Sequence, residues 1–138
     1  MKFIHKFPKL GARHQQSASV PLDCQVRIAV TGHRWNKIDP GRRVELASML
    51  RRAFSQTDER LLGRKRLVCG MAEGTDLIAA LNRPDDWELE AVLPLPLDEW
   101  RAHIASIAHI EDVEALDQAI ATSTVNVLPH PKGPDNVA

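Results

Sequence analysis

Two short glycine-containing segments carry the residues that could do chemistry. The first is Thr-Gly-His-Arg at residues 31–34, which follows an apolar, β-branched segment. Its glycine lets a ligand approach the backbone, its hydroxyl and imidazole can donate hydrogen bonds, and its guanidinium can bind a phosphate or carboxylate through two hydrogen bonds. The candidate ligand-binding residues of this first turn are therefore Thr31, Gly32, His33 and Arg34.

The second segment is Gly-Met-Ala-Glu-Gly-Thr-Asp at residues 70–76, ahead of an expected helix. A glycine-rich turn that opens a helix directs free backbone N–H groups outward, and the helix dipole favours an anion there. Its two carboxylates either complement that dipole or hold the hydroxyl groups of a ligand. The candidate ligand-binding residues of this second turn are Gly70, Met71, Ala72, Glu73, Gly74, Thr75 and Asp76.

By spacing alone, neither turn is specific. The second turn matches neither the GxGxxG fingerprint nor the GxxxxGK[ST] phosphate-binding loop, and a lone glycine after a strand is usually only a turn. If the protein cuts a glycosidic bond, a carboxylate must stabilise the oxocarbenium-like centre or activate water. Glu73 is then the first candidate catalytic residue and His33 the second, but the residues alone leave the catalytic group unknown.

Alternating strand and helix signals must position these turns. Strands are expected at 26–31, 66–69, 89–93 and 124–128. Four helices are expected: the first starts at Asp39-Pro40, the second covers 73–82, the third is capped by Asp98, and the fourth runs through 110–120. This order predicts an α/β fold: a three-layer, Rossmann-like parallel sheet of about four strands with flanking helices. We expect residues 27–31 to form a central strand, and ligands to bind beyond the carboxyl ends of the first two strands.

The chain of 138 residues suits one domain, predicted here as residues 26–138 behind a flexible N-terminal arm at 1–25. Eighteen basic and eighteen acidic residues cancel. Residues 1–66 nevertheless have a net charge of +10 and residues 67–138 a net charge of −10. Either the two halves complement each other in the fold, or the basic half faces an anionic ligand. A neutral chain is a poor candidate for non-specific nucleic-acid binding, so nucleic acid is an unlikely partner.

Several classes of site and location are disfavoured by composition. The two cysteines have no CxxC spacing and the six histidines are scattered, so we expect neither a metal site nor a cofactor. No apolar segment approaches the roughly 20 residues of a membrane span. A cytoplasmic location fits best. Cys69 is expected to be a buried, inert thiol at the end of a strand, because no basic neighbour in the sequence lowers its pKa.

Three segments in order resemble the SLOG superfamily, which groups the Rossmannoid domains of DNA-processing protein A and the Lonely Guy (lysine-decarboxylase-like) proteins. They are A-V-T-G-H-R at 29–34, V-C-G-M-A-E-G-T-D-L-I-A-A at 68–80 and A-V-L-P-L-P at 91–96. The similarity covers about residues 26–128. It is strongest to the bacterial subset that has a T-G-H-R turn and an A-E-G-A-D turn.

The resemblance implies a Rossmann-like domain that binds a nucleotide or nucleotide-derived small molecule, as a sensor or binding module. In such domains the turns that match Gly32-His33-Arg34 and residues 70–76 line the pocket. One alternative is an enzyme like the Lonely Guy phosphoribohydrolases, which cut the base from a nucleoside monophosphate. A second alternative is a DNA-binding domain like DNA-processing protein A, against which the neutral charge and the scarcity of aromatic residues count.

The chain departs from the family pattern in three places. The P-G-G-x-G-T loop of the enzyme group, with its catalytic glutamate, has no match. After the Leu-Pro segment, where related chains tend to have Tyr-x-x-Asp-Phe, His103 stands at the position of the aspartate. Related domains also usually continue to a further strand and glycine-rich loop, so by this resemblance the chain is truncated at its C-terminus. Part of the pocket would then be missing or supplied by a second subunit in a homo-oligomer.

Overall fold

A computed structural model describes residues 25–129, so nearly all of the arm predicted at 1–25 lies outside the described residues. Strands and helices alternate along this part of the chain. In order they are β1 (Gln25–Ala29), α1 (Arg43–Arg60), β2 (Arg64–Cys69), α2 (Thr75–Asn82), β3 (Glu88–Leu93), α3 (Leu97–Ile107), α4 (Ile110–Ala121) and β4 (Ser123–Val127). Two short 3-10 helices, Trp35–Lys37 and Pro40–Arg42, join β1 to α1.

The four strands form one parallel sheet in the order β1-β2-β3-β4, which confirms the predicted α/β fold class with its flanking helices. The prediction that the first strand is central is wrong. Each crossover places the next strand beside the previous one, so β1 stays at the edge of the four strands. Consistent with that position, Ile28 is half-buried and Ala29 is exposed.

A local sequence signal marks the start of the segment that leads into α1. The Asp39 side chain accepts a hydrogen bond from the Gly41 N–H at 2.9 Å, and Pro40 follows it, as predicted for the start of the first helix. The capping role expected of Asp98 is wrong, because Pro96 stands at the N-cap of α3 and Asp98 lies in its first turn. None of the helices in residues 25–129 is both long enough and apolar enough to span a membrane.

One face of the sheet packs against the helices. Its buried strand residues are Leu67, Cys69, Leu89, Ala91 and Leu93. All four α-helices add buried side chains to the same apolar cluster, including Phe54, Leu77, Trp100 and Leu116. This burial removes large apolar side chains from water and supplies the main driving force for the fold.

The opposite face of the sheet carries charged side chains. Arg27 and Arg66 stand in register, and both bind Glu90, whose carboxylate is almost fully buried. The Asn126 amide also donates to Glu90 at 2.7 Å. Burial alone would raise the pKa of Glu90, but the Asn126 hydrogen bond and the two arginine charges outweigh it and hold the pKa below its ordinary value.

These contacts join charged side chains of the two sequence halves. Arg27, Arg64 and Arg66 come from the basic half, whereas Glu88 and Glu90 come from the acidic half. Parallel pairing brings β1, β2 and β3 side by side, so the halves meet across the sheet. The expectation that the two halves complement each other in the fold is met for these five side chains and stays a prediction for the other charged residues.

Cys69 ends β2, is 4% exposed and is a free thiol. Burial raises its pKa to about 11, so the reactive thiolate is scarce at neutral pH. The structure confirms the predicted burial, and slow labelling of Cys69 in the native protein stays a prediction. Because Cys24 belongs to the predicted flexible arm, we expect it to react faster than Cys69; it lies outside the described residues.

We expect Glu90→Gln to lower the free energy of unfolding at pH 7 by about 1–2 kcal/mol, since the two arginines lose the negative charge of their partner and one of its acceptor oxygens. A carboxylate with a lowered pKa stabilises the fold above its unfolded pKa, and that contribution disappears as the pH falls through its folded pKa. The difference between wild type and variant should therefore shrink below pH 4.5. Urea unfolding at a series of pH values measures it.

The matched control is Glu45→Gln, which neutralises the exposed partner of Arg42 at 3.0 Å. An exposed helix pair contributes little, so this variant should unfold close to wild type. An equal loss in both variants would contradict the special role given to Glu90.

Candidate functional site

The two glycine turns lie side by side at the carboxyl ends of β1 and β2, as the pairing of these strands requires. They meet at one carbonyl group. The Thr75 backbone N–H donates to the His33 carbonyl oxygen at 3.1 Å, and the Thr75 hydroxyl donates to the same oxygen at 3.0 Å. The first turn is thereby held against the start of α2.

This contact explains two glycines. A Cβ on Gly32 would lie 2.5 Å from Thr75 Oγ1, and a Cβ on Gly74 would lie 2.5 Å from the His33 carbonyl oxygen. Gly74 also has a φ of +112°, which other residues rarely adopt. Both glycines are therefore needed for the two turns to touch, a reason distinct from the ligand approach expected from the sequence.

The second turn uses some of its amides internally. The Asp76 carboxylate accepts a hydrogen bond from the Gly70 N–H at 3.1 Å. Burial raises the pKa of Asp76, although the backbone N–H groups of Ala72 and Gly70 and the charge of Arg34 act in the opposite direction. These bonds make Asp76 a residue that fixes the turn, and they occupy amides expected to cradle an anion.

Met71 takes part in the site only through its backbone. Its φ is +56°, its side chain is fully buried in the core, and its carbonyl oxygen accepts a hydrogen bond from the Trp100 indole at 3.3 Å. A residue other than glycine in this conformation is held there by its surroundings. Here the core and the indole supply that restraint.

Arg34 and Glu73 meet in a cleft of about 490 Å³, which we call the Arg34 cleft. Arg34 Nε lies 3.6 Å from Glu73 Oε1, and the Glu73 side chain is only 9% exposed. Glu73 Oε2 is buried and has no hydrogen-bond partner. The lining of the cleft is completed by Trp35, Asn36, Pro40, Arg43, Ile107, Ala108, His109 and Asp112.

Arg43 is a residue of this cleft that the sequence reading missed. The apolar spacing at Val44, Ala47, Leu50 and Phe54 predicts that Arg43 lies mostly on the solvent side of the first helix. Instead its guanidinium carbon lies 3.9 Å from the centre of the Trp35 ring, a cation–π contact, and its Nε is buried without a partner. The signal was available in the helix start, because the helix that follows β1 begins at the carboxyl edge of the sheet.

The far wall of the Arg34 cleft comes from the connection between α3 and α4. The Trp35 indole donates to Asp112 Oδ1 at 2.6 Å, and the His109 backbone N–H donates to Asp112 Oδ2 at 3.2 Å. Both oxygens of this buried carboxylate are thus in use. Asp112 fixes Trp35, whereas Glu73 keeps a free acceptor.

Five of the eleven predicted site residues line one of two clefts, and Gly70, Met71, Gly74 and Asp76 are among the six that line neither. Gly32, His33 and Thr75 line a second cleft of about 580 Å³, the His33 cleft, together with Lys37, Ile38, Asp39, Arg42, Glu45, Leu46 and Met49. Thr31 is exposed but lines neither cleft, and Ala72 is half-buried. Only Arg34 and Glu73 of the predicted residues line the Arg34 cleft.

Comparisons of the chain with protein-family models, with curated proteins and with solved structures found no match. Among residues 25–129, no three histidine, cysteine or acidic side chains are grouped to hold a metal ion. The side chains and cavities at the carboxyl edge of the sheet are therefore the features that point to a function.

We expect Gly74→Ala to destabilise the fold by about 1–3 kcal/mol, because the residue must keep a positive φ and its Cβ would press on the His33 carbonyl. Thermal and urea unfolding measure this. The loss should exceed that for Gly41→Ala, whose Cβ would lie 3.4 Å from Asp39 Oδ1. Equal stability of the two variants would contradict the contact between the turns.

Proposed function

We propose that the protein binds a nucleotide or nucleotide-derived ligand in the Arg34 cleft, as a binding or sensing module. The observation that carries this proposal is the buried Glu73 carboxylate, which has one oxygen without a partner beside Arg34 in a cleft of about 490 Å³. A cavity of this volume is of the size that holds small organic ligands. The resemblance to the SLOG superfamily supports the same ligand class.

Arg34 and Arg43 are the groups that would bind the ligand's anion. The Arg34 side chain is 42% exposed and its ion pair with Glu73 is long at 3.6 Å, so its guanidinium can also reach a phosphate. Arg43 Nε needs an acceptor, since it is buried and unpaired. This role replaces the backbone cradle expected at residues 70–74, where the Gly70 amide is already bonded.

Glu73 would accept a hydrogen bond from the ligand. Oε2 can only accept when the carboxylate is ionised, so its partner must be a hydroxyl or N–H group. A nucleotide offers such donors on its ribose and base within reach of its phosphate. A simple inorganic anion offers none when fully ionised, and it would leave Glu73 Oε2 unpaired.

An enzyme is the alternative, and the same oxygen of Glu73 favours it. A buried carboxylate beside an anion-binding arginine could stabilise an oxocarbenium-like centre as the base leaves a nucleoside monophosphate. His33 lines the other cleft, which argues against its weak candidacy for this reaction. DNA binding gains no support from the described residues.

A reducing location completes the proposal. Cys69 is a free, buried thiol, which fits the cytoplasm.

We expect Arg34→Ala to weaken binding of AMP or ADP by about 1.5–3 kcal/mol, roughly 10- to 150-fold, because a charge-assisted contact to phosphate is lost. Isothermal titration measures the affinity, and the melting temperature reports the fold. Arg34→Lys should recover only part of the affinity, since lysine lacks the bidentate geometry.

Two controls locate the site. Arg51→Ala, on the exposed face of α1, should bind like wild type. His33→Ala removes a side chain that lines only the second cleft. A large loss for His33→Ala with none for Arg34→Ala would move the ligand to the His33 cleft and refute the proposal.

Glu73→Gln separates a binding module from an enzyme. For a module we expect wild type to release no free base from AMP, and we expect the variant to bind weakly because Gln presents only one acceptor oxygen. For a glycosidase, wild type releases base and the variant loses about 10²–10⁴-fold in rate. Chromatography of the reaction mixture measures the released base.

A further inference from the structure

At the outer edge of β4, the structure defines which residues turn their backbone N–H and C=O groups away from the sheet. The Leu128 N–H donates to the Leu93 carbonyl at 2.8 Å, so the backbone at residue 128 faces β3. In a parallel strand, successive residues turn their backbone groups to alternate sides. The N–H and C=O groups that face away from β3 therefore belong to Ser123, Val125 and Val127.

Within the part of the chain that the structure describes, the strand at this edge has neither the charges nor the prolines that often prevent strand pairing. Residues 123–128, Ser-Thr-Val-Asn-Val-Leu, contain no charge and no proline. Val127 is 46% exposed and Leu128 is 52% exposed. Natural edge strands are normally blunted by charges, prolines or bulges, because an open edge invites another strand.

The other edge of the sheet, formed by β1, has a charged residue at the centre of its strand. The Val30 N–H donates to the Val68 carbonyl at 3.2 Å, which fixes the phase of β1 and turns the backbone of Arg27 outward. A strand that pairs with its own copy across a two-fold axis runs antiparallel, and when the two copies overlap over their full length the central residue faces itself. In β1 that residue is Arg27, so self-pairing would place like charges opposite each other.

We propose that a second copy of this chain pairs with β4, antiparallel, across a two-fold axis at Val125. The numbers of two paired residues then always add up to the same total, so Thr124 lies opposite Asn126 of the other copy. This pair is on the face of the sheet that carries the charged side chains. On the apolar face Ser123 lies opposite Val127, and Val125 faces its own copy. No like charges meet in this register.

The pairing satisfies the outward backbone groups. Val125 and the Ser123–Val127 pairs are hydrogen-bonded positions, so on the order of six backbone hydrogen bonds form across the axis. The two sheets then continue as one sheet of eight strands. An interface made by one short strand from each partner is small, so we expect dimerisation in the micromolar range.

Sedimentation of the full chain over about 1–500 μM, with a thiol reductant, tests the proposal. We expect a monomer–dimer equilibrium for wild type and a monomer for Val127→Pro. Proline at this position removes an outward N–H and leaves the bonds to β3 intact. The matched control is Ala29→Pro, which removes an outward N–H from β1 and should still dimerise.

Hydrogen exchange in wild type gives a second readout that needs no variant. We expect protection of the Val125 and Val127 amides to rise with protein concentration, while that of Thr124 and Asn126 stays high throughout. A wild type that is monomeric at every concentration overturns the proposal. So does a folded Val127→Pro dimer, a species larger than a dimer, or Val125 protection that does not change with concentration. These readouts involve no nucleotide, so they are independent of the proposed ligand.

Discussion

The His33 carbonyl group is the constraint on which the carboxyl edge of the sheet depends. It accepts both hydrogen bonds from Thr75 and lies where the Cβ of any residue but glycine at position 74 would stand. The next residue after this fixed carbonyl is Arg34, and the residue before Gly74 is Glu73. The contact between His33 and Thr75 therefore fixes the positions of Arg34 and Glu73, although neither residue takes part in that contact.

Ion pairs across the sheet help to hold β1 in place, whereas apolar burial holds β2 and β3. A strand at the edge, with Ile28 only half-buried, gains little from the core. Arg27 instead reaches Glu90, two strands away, at 2.7 Å. Glu90 is almost fully buried but the Arg27 side chain is 58% exposed, so this bond is only partly shielded from solvent. Part of the opposite charge of the two sequence halves is thus used in pairing the strands.

The positions of the strands and helices could be predicted from the sequence, but the order of the strands in the sheet could not. Glycine and proline stops and β-branched segments place each strand within about two residues, and Asp39-Pro40 marks the first helix start. The order of the strands in the sheet depends on where each helical crossover places the next strand. Nothing in residues 26–31 reveals that β1 is at the edge. In the site, motif reading found Arg34 and Glu73 but missed Arg43 and Trp35. Their roles depend on a wall from α4, some 70 residues away in sequence, and only tertiary packing places it there.

The unpaired groups of the Arg34 cleft are the strongest physical argument for a ligand. A buried donor or acceptor without a partner costs about 1–3 kcal/mol, and more for charged groups. The cleft has one of each, Arg43 Nε and Glu73 Oε2, whereas the neighbouring Asp112 has both of its oxygens bonded. A fold selected for stability alone would remove that cost with apolar or paired residues. A ligand that presents an anionic acceptor and a hydroxyl or N–H donor together recovers it, and much of its binding free energy would come from that recovery.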